Sequence, residues 1–138
     1  ERIPLALEIL ADLMGEATFD PAEVDSERTV IISEREGMEN NPAYQLLEEV
    51  NATAFHVHPY HQPVIGWQSD LRTMTRDDLF RHYRTYYAPN NALLVMVGDF
   101  ETQAMLGQVE QYFSRFQGNL PVPAVRSVEP SQESARRS

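Results

Sequence analysis

Two carboxylates, Glu27 and Glu34, are the residues whose type and spacing could do chemistry in this chain. They stand seven residues apart in a segment with a helical pattern, and seven residues are close to two helical turns, so both side chains project from one face. Val30 and Ile31 between them form an apolar stripe that favours burial of this face. A carboxylate at the edge of a buried stripe requires a partner, which could be Zn²⁺, a basic side chain or a run of backbone N–H groups. By spacing alone, a solvated acidic helix face is the commoner meaning of such a pair.

A second group of candidate residues is a histidine cluster. Three of the four histidines, His56, His58 and His61, lie within six positions of a segment, residues 56–72, in which prolines and a glycine predict a loop. Because the chain has no cysteine, any metal would be bound by histidine and carboxylate groups. The cluster is therefore either a metal site or a surface loop whose histidines only titrate. Trp67 is expected to anchor this loop on the helices.

The segment Glu27-Arg28-x-Val30-Ile31-x-x-Glu34 resembles the helix that carries the third zinc ligand in the pitrilysin/insulinase-type zinc peptidases, the group that includes mitochondrial processing peptidase. Further stretches resemble the same family, in the family's order, from about residue 5 to residue 117. These stretches are Leu5–Met14, His58-Pro59-Tyr60 with Pro63 and Gly66, and Tyr86–Ala92 through Val97–Phe100.

The resemblance implies roles for the two carboxylates. Glu34 falls at the position of a zinc ligand, and Glu27 matches an acidic position that orients the ligand set. In the family, an H-x-x-E-H motif on an earlier helix supplies two histidine ligands and a general-base glutamate. No H-x-x-E-H occurs in these 138 residues. We therefore expect a piece of a larger zinc-dependent endopeptidase that holds Zn²⁺ in its complete form, while this chain alone contains no catalytic residue, binds no zinc and is inactive.

Two other functions are compatible with the sequence. The chain could belong to a non-catalytic homologue that acts as a structural or partner subunit, although this leaves the retention of Glu34 unexplained. It could also be a free-standing acidic helical module that binds another protein. In the peptidase interpretation, the partners are the peptide or protein substrate of the parent enzyme and the remaining half of the peptidase.

Composition excludes several other classes of protein. The net charge of −10 argues against nucleic acid and anionic membranes as partners, because both would repel the chain. No apolar run is long enough to span a membrane. We expect a soluble protein and leave open whether its compartment is the cytoplasm or the periplasm.

The elements that must position the candidate residues follow from hydrophobic periodicity. The apolar run Ala92–Val97 predicts one strand at about 92–98, buried on both faces. The predicted fold class is α+β: a mostly helical partial peptidase domain over residues 1–117, similar to mitochondrial processing peptidase, and an interdomain linker or disordered tail over 118–138. The missing half should cover the strand and part of the Val30/Ile31 face, so the isolated chain should self-associate. Five helices are predicted, at about 3–18, 21–37, 42–56, 75–87 and 102–117.

Overall fold

A computed structural model describes residues 2–116 and 121–137 of the chain. Within these residues the regular structure is helical, with six α-helices and two short 3-10 turns at Pro59–His61 and Pro89–Asn91. The helices are α1 (Ile3–Gly15), α2 (Pro21–Glu39), α3 (Pro42–Ala54), α4 (Gln68–Thr73), α5 (Arg76–Tyr86) and α6 (Thr102–Phe113).

The chain folds as two compact units. The first consists of Glu1–Phe19 and Asp77–Pro123, and the second consists of Asp20–Arg76 and Ala124–Ser138. The polypeptide therefore leaves the second unit within α5 and returns to it at Ala124.

The first unit is built on the packing of α1 against α6. Its buried apolar side chains include Leu7 and Ala11 of α1 and Met105 of α6. Gly15 allows the ends of the two helices to approach closely, because a Cβ atom at this position would lie 2.0 Å from Cε1 of Phe116.

Tyr83 of α5 connects α5 to the end of α1 in the same unit. Its side chain is buried, and its hydroxyl donates to the carbonyl of Leu13 at 3.1 Å and accepts from the N–H of Ala17 at 3.3 Å. Phe19 packs its ring on that of Tyr83 at 5.2 Å from a left-handed backbone with φ of 51°. Such a backbone is unfavourable for a bulky residue, and this ring contact helps to hold it.

The second unit contains α2, α3 and α4, and both longer helices begin at side-chain caps. Asp20 accepts from the N–H groups of Ala22 and Glu23 at 2.9 and 3.3 Å, and a proline follows it at the first helical position. Asn41 accepts from the N–H of Ala43 at 3.0 Å at the start of α3. These caps satisfy N–H groups that have no partner inside the helix, and they match the predicted starting points of the two helices.

The predicted α+β class is wrong, because the part of the chain that the structure describes contains no strand. The run Ala92–Val97, predicted as a strand buried on both faces, forms neither helix nor strand, and Leu93 and Val97 are 88% and 94% exposed. A strand is defined by hydrogen bonds to a neighbour about 4.8 Å away, and no such neighbour occurs among residues 2–116 and 121–137. The apolar, β-branched composition indicated a strand, but a strand also needs a partner, which composition does not reveal.

Two further predictions differ from the structure in detail. The segment predicted as a loop over 56–72 contains a 3-10 turn and all of α4 except its last residue, and α2 continues past Gly37 to Glu39. The predicted helix end at 117 and the predicted domain boundary between 117 and 118 lie outside the described residues. None of the helices in the described part is both long and apolar enough to cross a membrane.

Replacing Tyr83 by Phe tests the hydrogen-bonded contact between α5 and α1. The change removes one hydroxyl and leaves the Leu13 carbonyl and the Ala17 N–H without this partner, so the free energy of unfolding should fall by about 1–3 kcal/mol. Urea unfolding followed by circular dichroism measures the loss. Tyr87→Phe is the matched control, because Tyr87 is 53% exposed, and equal effects of the two changes would contradict the assignment.

Candidate functional site

Glu27 and Glu34 both lie on α2, and both side chains are exposed. Among the described residues, neither carboxylate takes part in a hydrogen bond or an ion pair. Val30 between them is 56% exposed and Ile31 is half-buried, so the residues that the structure describes cover this apolar stripe only in part. The structure thus presents two carboxylates on one accessible helix face, both without a partner in the described part of the chain.

Arg35, next to Glu34 in sequence, is the buried charged residue of the described chain, with 4% of its surface exposed. Its guanidinium donates to both carboxylate oxygens of Glu48 on α3, and the bond from Nη2 to Oε2 is 3.0 Å long. Nε donates to Glu39 at 3.0 Å, and Nη1 donates to the hydroxyl of Tyr44 at 3.4 Å. The guanidinium carbon also lies 5.8 Å from the ring centres of Tyr44 and Trp67.

Electrostatics keep this group charged. The hydrogen bond to Glu48 raises the pKa of Arg35, although burial alone would lower it. Burial and the same carboxylate raise the pKa of the Tyr44 hydroxyl, which therefore stays protonated at neutral pH. A bidentate pair fixes direction as well as charge, so Arg35 joins α2 to α3 in a single geometry.

The Arg35 pair also determines which way the candidate carboxylates point. Consecutive residues on a helix project about 100° apart, so fixing Arg35 against α3 fixes the direction of Glu34 from α2. On the side of Arg35 away from Glu34, the carboxylate of Glu36 accepts a hydrogen bond from the side chain of Gln68 on α4 at 3.1 Å. Sequence reasoning missed Arg35, although the Arg35–Glu39 spacing of four residues is a visible helical ion-pair signal.

The histidine cluster lies where the chain leaves α3. The ring of His58 packs 4.5 Å from that of Tyr60, and its Nδ1 accepts from the N–H of Tyr60 at 3.2 Å. Nδ1 of His61 lies 2.7 Å from the carbonyl of His58 and donates to it. One nitrogen of each of these two rings is thus used inside the loop. Within the described residues, no three histidine or acidic side chains are grouped so that they could hold a metal ion.

Each unit also carries a cleft. In the first unit, a cavity of about 340 Å³ lies among α1, α6 and the segment after the second 3-10 turn, with a mainly apolar lining that includes Leu10, Leu94 and Phe113. In the second unit, a cavity of about 340 Å³ lies beside residues 56–67, here called the histidine loop, and includes Tyr44 and Glu48 in its wall. Both carboxylate oxygens of Glu48 accept from Arg35, so the charge of Glu48 is already neutralised where it lines this second cavity.

Comparison with known proteins places the chain in a family. Residues 1–67 match the family described as Insulinase (Peptidase family M16), and residues 73–138 match the family described as Peptidase M16 inactive domain. The chain is 31% identical to the zinc protease PqqE of Helicobacter pylori over 134 residues, which is 95% of this chain and 30% of that protein. It is 26% identical to a probable mitochondrial-processing peptidase subunit beta of Arabidopsis thaliana, over 80% of this chain and 21% of that protein.

The fold agrees with these matches. A crystal structure of a protease from Helicobacter pylori superimposes with a TM-score of 0.93 and 30% identity, covering 98% of this chain and 33% of that one. The first half of the periplasmic protease PqqL from Escherichia coli, at 23% identity and a TM-score of 0.81, shares the fold. The chain belongs to the pitrilysin/insulinase family of metallopeptidases, and it spans about a third or less of the length of these relatives.

Replacing Arg35 by Met tests the role of its buried charge. The change leaves the Glu48 carboxylate in a mostly buried position without its partner, so the free energy of unfolding should fall by about 3–5 kcal/mol. Arg28→Met is the control on the same helix. Arg28 pairs with the exposed Asp25 at 2.7 Å, and its loss should cost about 1 kcal/mol or less.

A double variant separates the cost of leaving the Glu48 charge buried and unpaired from the loss of the Arg35–Glu48 contact itself. Adding Glu48→Leu to Arg35→Met removes both charges, and part of the lost stability should return. Urea unfolding of all four proteins decides the question. Similar losses for Arg35→Met and Arg28→Met would show that the Arg35 pair is not the main connection between α2 and α3.

Proposed function

We propose that this chain is part of a zinc-dependent endopeptidase, to which it contributes Glu34 as a metal ligand and Glu27 as the residue that orients the ligand set. The observation that carries the proposal is an exposed carboxylate on α2 with no partner among the described residues, in a chain similar to zinc proteases. In the longer protein, an H-x-x-E-H segment would supply two histidine ligands and the general base.

The residues present fit a partial zinc site. Carboxylate oxygen is an accepted zinc ligand, and Glu34 needs no ion pair to be broken before it can bind one. When bound, zinc polarises the scissile carbonyl and lowers the pKa of a water molecule. A zinc site needs at least three protein ligands, so one carboxylate on α2 is insufficient, and we propose that the chain alone neither holds zinc at Glu34 nor cleaves peptides.

A second candidate function is that of a non-catalytic homologue acting as a structural or partner subunit. The observation in its favour is 27% identity to cytochrome b-c1 complex subunit 1 of Bos taurus, over 93% of this chain. The absence of H-x-x-E-H from these 138 residues fits this function equally well. Zinc content of the longer protein separates the two functions.

We further propose that the exposed apolar run of the first unit is covered by another polypeptide. Leu93, Val95 and Val97 are 88%, 70% and 94% exposed, and on the same unit Ile9 of α1 is 51% exposed. Several large apolar side chains left exposed on one unit are typical of an interface. The remaining half of the peptidase is the proposed partner, and a peptide or protein is the proposed substrate.

Replacing Glu34 by Gln tests the ligand role. In a longer protein that retains H-x-x-E-H, the variant should lose zinc and proteolysis while its circular dichroism stays unchanged, because a neutral amide is a poor substitute for a carboxylate ligand. Glu27→Gln should weaken zinc binding about 10- to 100-fold instead. Zinc content is measured by atomic emission on the purified proteins.

The control for both changes is Glu49→Gln, which alters an exposed carboxylate on α3. The longer protein with this change should bind zinc as the unmodified protein does. Full zinc occupancy in Glu34→Gln would rule out the ligand role. For the 138-residue chain, isothermal titration should show no zinc binding that depends on Glu34. Micromolar binding that disappears in Glu34→Ala would overturn that expectation.

The isolated chain should self-associate through the apolar run of the first unit. Val95→Lys places a charge in this surface and should shift the mass measured by light scattering toward the monomer. Leu46→Lys is the matched control, because Leu46 is also exposed (66%) but lies on α3 in the second unit. A strictly monomeric unmodified chain at high concentration would contradict the proposal.

A further inference from the structure

Residues 124–137, here called the strap, return to the second unit and contact the end of α3. The carboxylate of Glu129 accepts hydrogen bonds from three consecutive backbone N–H groups, those of His56, Val57 and His58. The shortest N–O distances are 2.9, 2.8 and 2.9 Å. These groups are more than 70 residues apart in sequence, so the contact is tertiary and not a local turn.

Arg136 of the same strap completes the arrangement. Its Nη1 donates to Glu129 Oε1 at 3.0 Å and also to the carbonyl of Ala54, the last residue of α3. The carbonyls at the end of a helix have no partner inside the helix and carry partial negative charge, so a guanidinium is favourable there. The side chains of Glu129 and Arg136 are only 21% and 14% exposed.

The chemistry of this contact is that of an anion site. Successive N–H groups directed at one point form a concavity that binds anions, and the strap places a carboxylate there. The N–H groups of His56, His58 and Val57 lower the pKa of Glu129 from 4.5 to about 2. The folded value lies below the unfolded one, so the stabilisation is fully present above about pH 4.5 and is lost as pH falls through about 2.

We propose that the backbone of residues 56–58 and the guanidinium of Arg136 form a carboxylate-binding site, and that Glu129 is its built-in ligand, which docks the strap on the end of α3. The site requires no metal and does not depend on the proposed peptidase function. Its consequence is mechanical. The histidine loop is held at its start by the strap and at its end by the contact of Trp67 with Arg35.

Chemical rescue tests the site. Glu129→Ala empties it, so the amide proton resonances of His56, Val57 and His58 should move upfield as they lose charge-assisted hydrogen bonds. Added sodium acetate should then restore them in a saturable manner, whereas sodium chloride at equal ionic strength should not. Arg136 also donates to the carbonyl of Ala54, so it should stay at the end of α3 in this variant. Adding Arg136→Met should then weaken acetate binding about tenfold or more. Nitrogen–proton correlation spectra of the 138-residue chain measure all of this.

The control is Glu133→Ala, a carboxylate on the same strap, which should leave the three amide resonances in place and show no acetate response. Unmoved resonances in Glu129→Ala, or moved resonances that acetate does not restore, would overturn the proposal. If Glu129→Ala does not fold, the unmodified chain decides. The side-chain carboxyl carbon of Glu129 should titrate with a midpoint near 2, and a midpoint near 4.5 would contradict the site.

Discussion

A buried guanidinium must be neutralised where it is buried, and this requirement organises the second unit. Arg35 is 4% exposed and is held by Glu48 from α3, Glu39 from its own helix and the ring of Trp67 at the end of the histidine loop. An unpaired charge in such a place would be strongly destabilising, so α2, α3 and the loop can adopt few alternative arrangements. The exposed face of α2, with the candidate ligand Glu34, takes its direction from this constraint.

The two units share one property: each exposes groups that have no partner among the described residues. In the second unit these groups are the two accessible carboxylates on α2. In the first unit they are the side chains of the apolar run, of which Leu93 is 88% exposed. Exposing the apolar run is unfavourable in an isolated domain, and the accessible carboxylates make no contact there. Both features are expected of a chain that spans about a third or less of the length of its relatives. This is the physical basis for proposing a larger peptidase.

Local signals predicted much of the helical structure. The Asp20-Pro21 start of α2 and the Asn41-Pro42 start of α3 were readable because a cap is a contact within three residues. The strand at 92–98 was wrong because strand formation depends on a distant partner. Arg35–Glu48 and Glu129 with residues 56–58 could not be predicted, since they join positions 13 and more than 70 residues apart. The roles of Glu34 and Glu27 remain predictions from family resemblance.

The position of zinc in the longer protein decides whether Glu34 is a metal ligand. Anomalous diffraction at the zinc absorption edge, on crystals of the protein that contains both this chain and an H-x-x-E-H segment, locates the metal without any assumption about activity. If Glu34 is a zinc ligand, a single strong peak should lie about 2.0–2.2 Å from one of its carboxylate oxygens, with Glu27 nearby but not bound to the metal. A zinc peak away from α2, or one bound to Glu27 and not to Glu34, would contradict the ligand role.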